Sequence, residues 1–319
     1  MSTFATLDYS IRPNKNIERK LFVEILRALA PQFDVSTYRY VGMGARWFAD
    51  FALFHRELKI EKMISIERCG NAGRARFNRP YDCISVEEGD STVVLPTIDW
   101  TALPSIVWLD YDSDLHGPVL KDAGIVLPEL TSGSIFLATV NAAVQQLSAD
   151  AQNPAPASKL EKLRELVGEL VAPDLPLERL TTAKFPLLVA EILTDHFRHQ
   201  VRNSGTGLEY MPLVHFAYRD GAQMVTVGGM VADTKDKTKI GTCTSLWQLP
   251  AVTTTTPFEI SVPTLTPKEK AALDRLLPAS TRLTEADVQA STGFPISQKH
   301  IDAYSSFYRL YPVFGEIFA

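Results

Sequence analysis

Five short apolar segments recur between residues 37 and 140, and the stretches between them read as helices or loops. No other feature limits the fold as strongly. The segments are TYRYVGMG (37–44), MISIE (63–67), CISV (83–86), SIVWLD (105–110) and SIFLATV (134–140). Each is too short for a buried helix, and apolar runs of this length suit strands covered on both faces. Between them, 47–58 and about 117–130 read as helices. Ahead of them, NIERKLFVEILRAL (16–29) sets Ile17, Leu21, Ile25 and Ala28 at helical spacing, and Pro31 ends that helix. Strands alternating with helices predict an α/β fold: a Rossmann-like, doubly wound, mostly parallel sheet.

Beyond residue 147 the pattern changes. LSADAQNPAPA (147–157) reads as a loop or linker, and helices are expected near 158–171 and 183–202. Two strand-like runs over 211–231 flank Arg219-Asp220-Gly221, which predicts an antiparallel hairpin at one edge of the sheet. ADTKDKTKI (232–240) is polar and reads as a loop. Thr266-Pro267-Lys268-Glu269 has the form of a capping box, and Thr284 with Asp287 opens a second short helix. The aromatic run Tyr304, Phe307, Tyr308, Tyr311 and Phe314 reads as packing on a last helix that stops before Pro312. The expected organisation is a helical lid over 1–36, a Rossmann-like domain over 37–262 and a small helical appendage over 263–319, which offers a surface for a protein partner.

A net charge of −5 over 319 residues argues against a protein that coats nucleic acid by charge alone. The three cysteines, Cys69, Cys83 and Cys243, form no CxxC pair and suit buried thiols in a reducing compartment. No apolar run reaches membrane-spanning length, and the amino terminus lacks a signal-peptide core, so a cytoplasmic protein is expected.

In open parallel sheets, ligands bind beyond the carboxyl ends of the strands. Gly42, Met43 and Gly44 follow the first strand and would let backbone approach a ligand closely. Glu67 follows the second, placed to accept hydrogen bonds from a ribose. Asp90 and Ser91 follow the third, where an adenine edge would lie. Asp110, Tyr111 and Asp112 follow the fourth and would face the reacting end. Each has a plainer reading: a tight turn, a surface acid paired with Arg68, a turn cap, a solvated acidic loop. Their order along one edge is what points to a nucleotide-like ligand.

That order resembles the class I S-adenosylmethionine-dependent methyltransferases, over about residues 37–142, and the hairpin matches the last two strands of that fold. The resemblance implies S-adenosylmethionine as cofactor, with ribose on Glu67, adenine by Asp90, and Asp110 near the methionine end and the acceptor. The phrases RPNKNIER, YVGMGARWFADFALFHREL, MISIER and WLDYDSDL are also similar to a group of bacterial proteins described as O-methyltransferases. This implies transfer to an oxygen on an unidentified methyl acceptor. Two departures stand out. Tyr40 and Val41 occupy the end of the first strand, where the family places an acid for the methionine amino group, and Ala45-Arg46 follows the second glycine, where a third is common. Asp50 and Asp110 are the candidate replacements. The departures also leave open a non-catalytic nucleotide-sensing or scaffolding module.

Methyl transfer to a hydroxyl needs alignment and a base. Asp110 is the expected base or orienting group, with His116 second. Arg12, Lys15 and Arg19 gather positive charge at the start of the first helix. They read as a solvated face or as substrate-binding groups for a carboxylate or phosphate, together with Tyr111 and Asp112. No resident metal is expected: the alternating acids at 110, 112 and 114 lack the glycine and distant glutamate of a calcium loop. A nicotinamide-dependent oxidoreductase is disfavoured by the missing third glycine.

Overall fold

A computed structural model describes residues 12–111, 115, 117–147, 156–252 and 255–312. In chain order the elements begin with α1 (Pro13–Leu29), β1 (Arg39–Gly42), α2 (Ala49–Leu58), β2 (Lys62–Glu67), α3 (Ala72–Asn78) and β3 (Ile84–Glu88). Then come α4 (Ser91–Val94), β4 (Ser105–Asp110), α5 (Gly117–Val126), β5 (Ile135–Asn141), α6 (Pro156–Val167) and α7 (Phe185–Asn203). The hairpin of β6 (Glu209–Asp220) and β7 (Ala222–Ala232) is followed by α8 (Thr234–Gly241), α9 (Thr244–Trp247) and β8 (Phe258–Ile260). Helices α10 (Pro267–Asp274), α11 (Glu285–Thr292) and α12 (Gln298–Phe307) are the last of the described elements.

The strands form one sheet in the order β3-β2-β1-β4-β5-β7-β6-β8. The first five are mutually parallel, and β7 runs antiparallel to both β5 and β6. The order reverses between β1 and β4, which makes the carboxyl ends of those strands the switch point where ligands bind in such sheets. Side chains alternate between two apolar layers, as strand geometry requires. Tyr40, Ile106, Trp108, Ile135 and Leu137 face α1 and α2, while Val41, Val107, Leu109, Phe136 and Ala138 face α5 and α7.

Helix α1 buries Ile17, Leu21, Phe22, Ile25, Leu26 and Leu29 in the first of these layers. It has no side-chain cap of its own. Instead Asp220, at the tip of the hairpin, accepts from the backbone N–H of Asn14 at 3.2 Å and of Lys15 at 2.8 Å. The capping boxes at Thr266/Glu269 and Thr284/Asp287 are both present. Helices α10–α12 share a small cluster of Leu273, Val288, Ile301 and Tyr304, while Phe307 joins the main core. No helix among the described residues is long and apolar enough to cross a membrane.

Two elements depart from the sequence reading. The polar stretch 232–240, expected as a loop, contains helix α8. Asp233 caps it through the Asp236 amide at 2.7 Å, and Ile240, fully buried, is its one anchor in the core. A single apolar residue leaves no periodicity to read. The hairpin, expected at the edge, has β8 pairing in parallel outside β6.

The hairpin register is locked by close backbone contact. A Cβ on Gly229 would lie 2.3 Å from the Met211 carbonyl oxygen, beside the irregularity at Pro212 and Val214. Gly229→Ala is expected to destabilise the fold by about 1–3 kcal/mol, read as a lowered midpoint in thermal denaturation. An unchanged midpoint would show that the β6–β7 backbone yields freely.

Candidate active site

The carboxyl ends of β1–β4 and of β6 share one edge of the sheet, and the amino end of α1 is held against it. The turn after β1 is shaped by the chain's own packing. A Cβ on Gly42 would lie 2.6 Å from the Tyr40 hydroxyl, and one on Gly44 would lie 2.6 Å from the Phe48 ring. Both glycines are therefore needed by the turn itself. Met43 between them is partly buried against the α5/α7 layer. The Gly44 N–H donates to Ser65 Oγ at 3.0 Å, and Ser65 donates to Glu67 at 2.9 Å. Glu67 thus lies under the turn with 5% of its surface exposed. Burial pushes its carboxyl up to about 7, against the opposing effect of hydrogen bonds from Ser65 and from the backbone of Ala45 and Gly44.

Tyr40 stands at the end of β1, where the family resembled above carries an acid. Tyr40, from that position, donates its hydroxyl to Asp50 on the first turn of α2. The Tyr40 hydroxyl stands beside Gly42, so the Asp50 carboxyl stands there too. Burial raises the Asp50 pKa; Arg19 and the Tyr40 hydrogen bond oppose this, and Asp110 adds to it. Asp50, Asp110 and Arg19 are therefore close enough to share one field.

The other expected residues divide. Asp110 keeps 25% of its side chain exposed and pairs with Lys15 at 2.9 Å. Lys15 is buried and also pairs with Glu18 at 2.8 Å. Arg12 lies 3.9 Å from Asp220, and Arg19 is buried on α1. Asp90 is exposed and pairs with Arg68 at 3.5 Å. Ser91 opens α4 and hydrogen-bonds Asp122. Tyr111 departs from the expectation that it faces the reacting end: it is buried, and its hydroxyl donates to Asp122 at 2.5 Å. Strand parity explains this, since Tyr111 shares a face with Leu109 and turns toward α5, while Asp110 shares one with Trp108. Asp112 and His116 lie outside the described residues. Among the described residues no His, Cys, Asp and Glu cluster has metal-binding geometry.

Two groups were not singled out from the sequence. Glu18 is fully buried. Its spacing from Lys15 and Phe22 on one helical face was visible, but nothing marked that face as facing the site. Tyr218, near the end of β6, is 2% exposed, and its hydroxyl has no hydrogen-bond partner among the described residues. Burial and the charges of Glu18 and Asp110 hold its pKa well above the ordinary value, so it remains a donor. A shallow cavity of about 380 Å³ lined by Arg39, Lys62, Arg79 and Cys83 opens at the amino ends of β1–β3, on the opposite edge of the sheet.

A model of the family described as "Putative O-methyltransferase" matches residues 7–319. The chain belongs to that family. No curated protein matches its sequence. Solved structures similar to this family member include the O-methyltransferase TomG from Streptomyces achromogenes in complex with SAM, at 14% identity over 67% of this chain and 80% of that one, TM-score 0.39. Cofactor-bound Rv0187 from MTB shares 15% identity over 68% of this chain and 81% of that one, TM-score 0.37. SAH-bound methyltransferase PaMTH1 from Podospora anserina shares 13% over 65% and 76%, TM-score 0.34. Likenesses this faint carry no residue roles.

Glu67 makes stability depend on pH. Its folded pKa of about 7 lies above the ordinary 4.5. The protonated form is therefore favoured by folding, and this contribution, full below about 4.5, is lost as pH rises through 7. Glu67→Gln is expected to remove that loss, roughly 3 kcal/mol at most, in denaturant titrations run across this range. A variant whose stability follows the same pH slope as the parent would contradict the assignment.

Proposed function

We propose that this chain is an S-adenosylmethionine-dependent methyltransferase acting on an oxygen acceptor, with its site along the carboxyl ends of β1–β4. One observation carries the placement. Tyr40 holds Asp50 beside Gly42, within the field of Arg19 and Asp110. Two carboxyl groups and a guanidinium match the ammonium and carboxylate of an amino acid, which is the polar end of this cofactor. The family departure at the end of β1 is then compensated from α2.

When bound, S-adenosylmethionine supplies a methyl group on a positively charged sulfur. The chain's residues align and exclude. Arg19 takes the cofactor carboxylate and Asp50 its ammonium. Glu67, in its ionised form, accepts from the ribose hydroxyls, and Asp90 and Ser91 meet the adenine edge. Gly42, Met43 and Gly44 form the wall between these ends. Asp110 orients the acceptor hydroxyl and accepts its proton, with His116 as the second candidate. Arg12, and Asp112 from its sequence position after β4, are further candidates for the acceptor, while Tyr111 is held inward by its bond to Asp122. The three cysteines are all free, which suits the reducing cytoplasm of a bacterium.

Calorimetry with S-adenosylmethionine and S-adenosylhomocysteine tests the reading. Both are expected to bind. Asp50→Asn and Glu67→Ala are each expected to weaken binding at least tenfold while circular dichroism stays unchanged. Absence of binding for either ligand, or undiminished binding in Glu67→Ala, would overturn it. Labelled methyl transfer into cell extract, separated into protein, nucleic acid and small molecules, would then identify the acceptor.

A further inference from the structure

The ammonium of Lys15 is enclosed rather than presented. Its side chain is 1% exposed, with Nζ 2.8 Å from Glu18 Oε2 and 2.9 Å from Asp110 Oδ1. It also lies 4.6 Å from the centroid of Trp108 and 5.7 Å from that of Tyr218. Two carboxylates and two aromatic faces surround one cation, each an attractive partner.

Glu18 is itself anchored from behind. It accepts from the Thr226 hydroxyl, which lies 2.7 Å from that of Thr139. Thr139 in turn accepts from the Trp108 indole N–H at 3.0 Å. An indole N–H can only donate, and each hydroxyl has a single proton. The chain of bonds therefore runs one way, from Trp108 through Thr139 and Thr226 to Glu18, and ends on a carboxylate oxygen. Burial pushes the Glu18 carboxyl up, while Lys15 and Thr226 both oppose that shift. The whole assembly ties α1 to β4, β5 and β7, and its one partly exposed member is Asp110.

We propose that Lys15 and Glu18 are positioning residues that fix the carboxylate of Asp110 at the end of β4, and that neither touches ligand. The proposal rests on the reading of Asp110 as part of the cofactor and acceptor site. It gives α1 a defined part in that site. The helix supplies a buried clamp, and a ligand meets the carboxylate that the clamp holds.

The decisive variant is the full-length double substitution Lys15→Met with Glu18→Gln. Removing both charges together leaves no unpaired charge on α1, and the Gln carbonyl still accepts from Thr226. The expected result is a thermal midpoint within a few degrees of the parent and an affinity for S-adenosylhomocysteine at least tenfold weaker. Undiminished affinity in the folded variant would overturn the proposal. A second measurement stands if that variant fails to fold. In the ¹⁵N-labelled parent, Lys15 is expected to give a slowly exchanging ammonium signal that persists with S-adenosylhomocysteine and moves in Asp110→Asn. A missing signal, or one indifferent to Asp110→Asn, would also overturn it. If the parent binds no S-adenosylhomocysteine, the functional reading fails, while the ammonium signal still decides whether the clamp exists.

Discussion

The first helix is held at its amino end by a carboxylate more than two hundred residues away in sequence. A helix start leaves several backbone N–H groups without partners, and α1 has no capping side chain of its own. Asp220 fills that role from the β6–β7 turn, and Asn14 reinforces it by donating to the Arg219 carbonyl at 2.9 Å. A cap of this kind is typically worth about 1 kcal/mol. Its larger effect is geometric: it sets the rotation of α1, and so directs Lys15, Glu18 and Arg19 at the sheet edge. Moving the hairpin tip would move all three.

The same edge is bound together a second time, through the glycine turn. Gly44 is tied to Ser65 and Ser65 to Glu67, so the turn after β1 and the acid after β2 form one unit. Burial of Glu67 beneath that turn raises its pKa, and a carboxyl shifted in this way at a sheet edge marks a candidate functional group. The turn cannot be enlarged, because side chains already occupy the space beside both glycines.

Much of this was legible in the sequence. The five parallel strands, the hairpin and both capping boxes follow from apolar spacing and turn chemistry. Asp50 was reachable because it lies one helical turn beyond the loop. Helix α8 was not reachable, since Ile240 is its sole buried anchor. Strand β8 is three residues long and exists by pairing with β6. The inward turn of Tyr111 follows from parity once the β4 register is fixed. The clamp on Asp110 depends on Thr139 facing Thr226 across β5 and β7, a register that separate apolar runs do not encode. Glu18 illustrates the general difficulty. A glutamate on an amphipathic helix reads as solvated until the structure shows which face the charge shares with the core.

Every proposed residue role requires one ligand to lie along one edge of the sheet. A crystal structure of the protein grown with S-adenosylhomocysteine tests that placement most directly. The predicted result is adenosine density across the ends of β2–β4 with the ribose against Glu67, and the amino-acid end between Asp50 and Arg19. Density elsewhere, such as the cavity at the amino ends of β1–β3, or a crystal at saturating ligand with none, would contradict it.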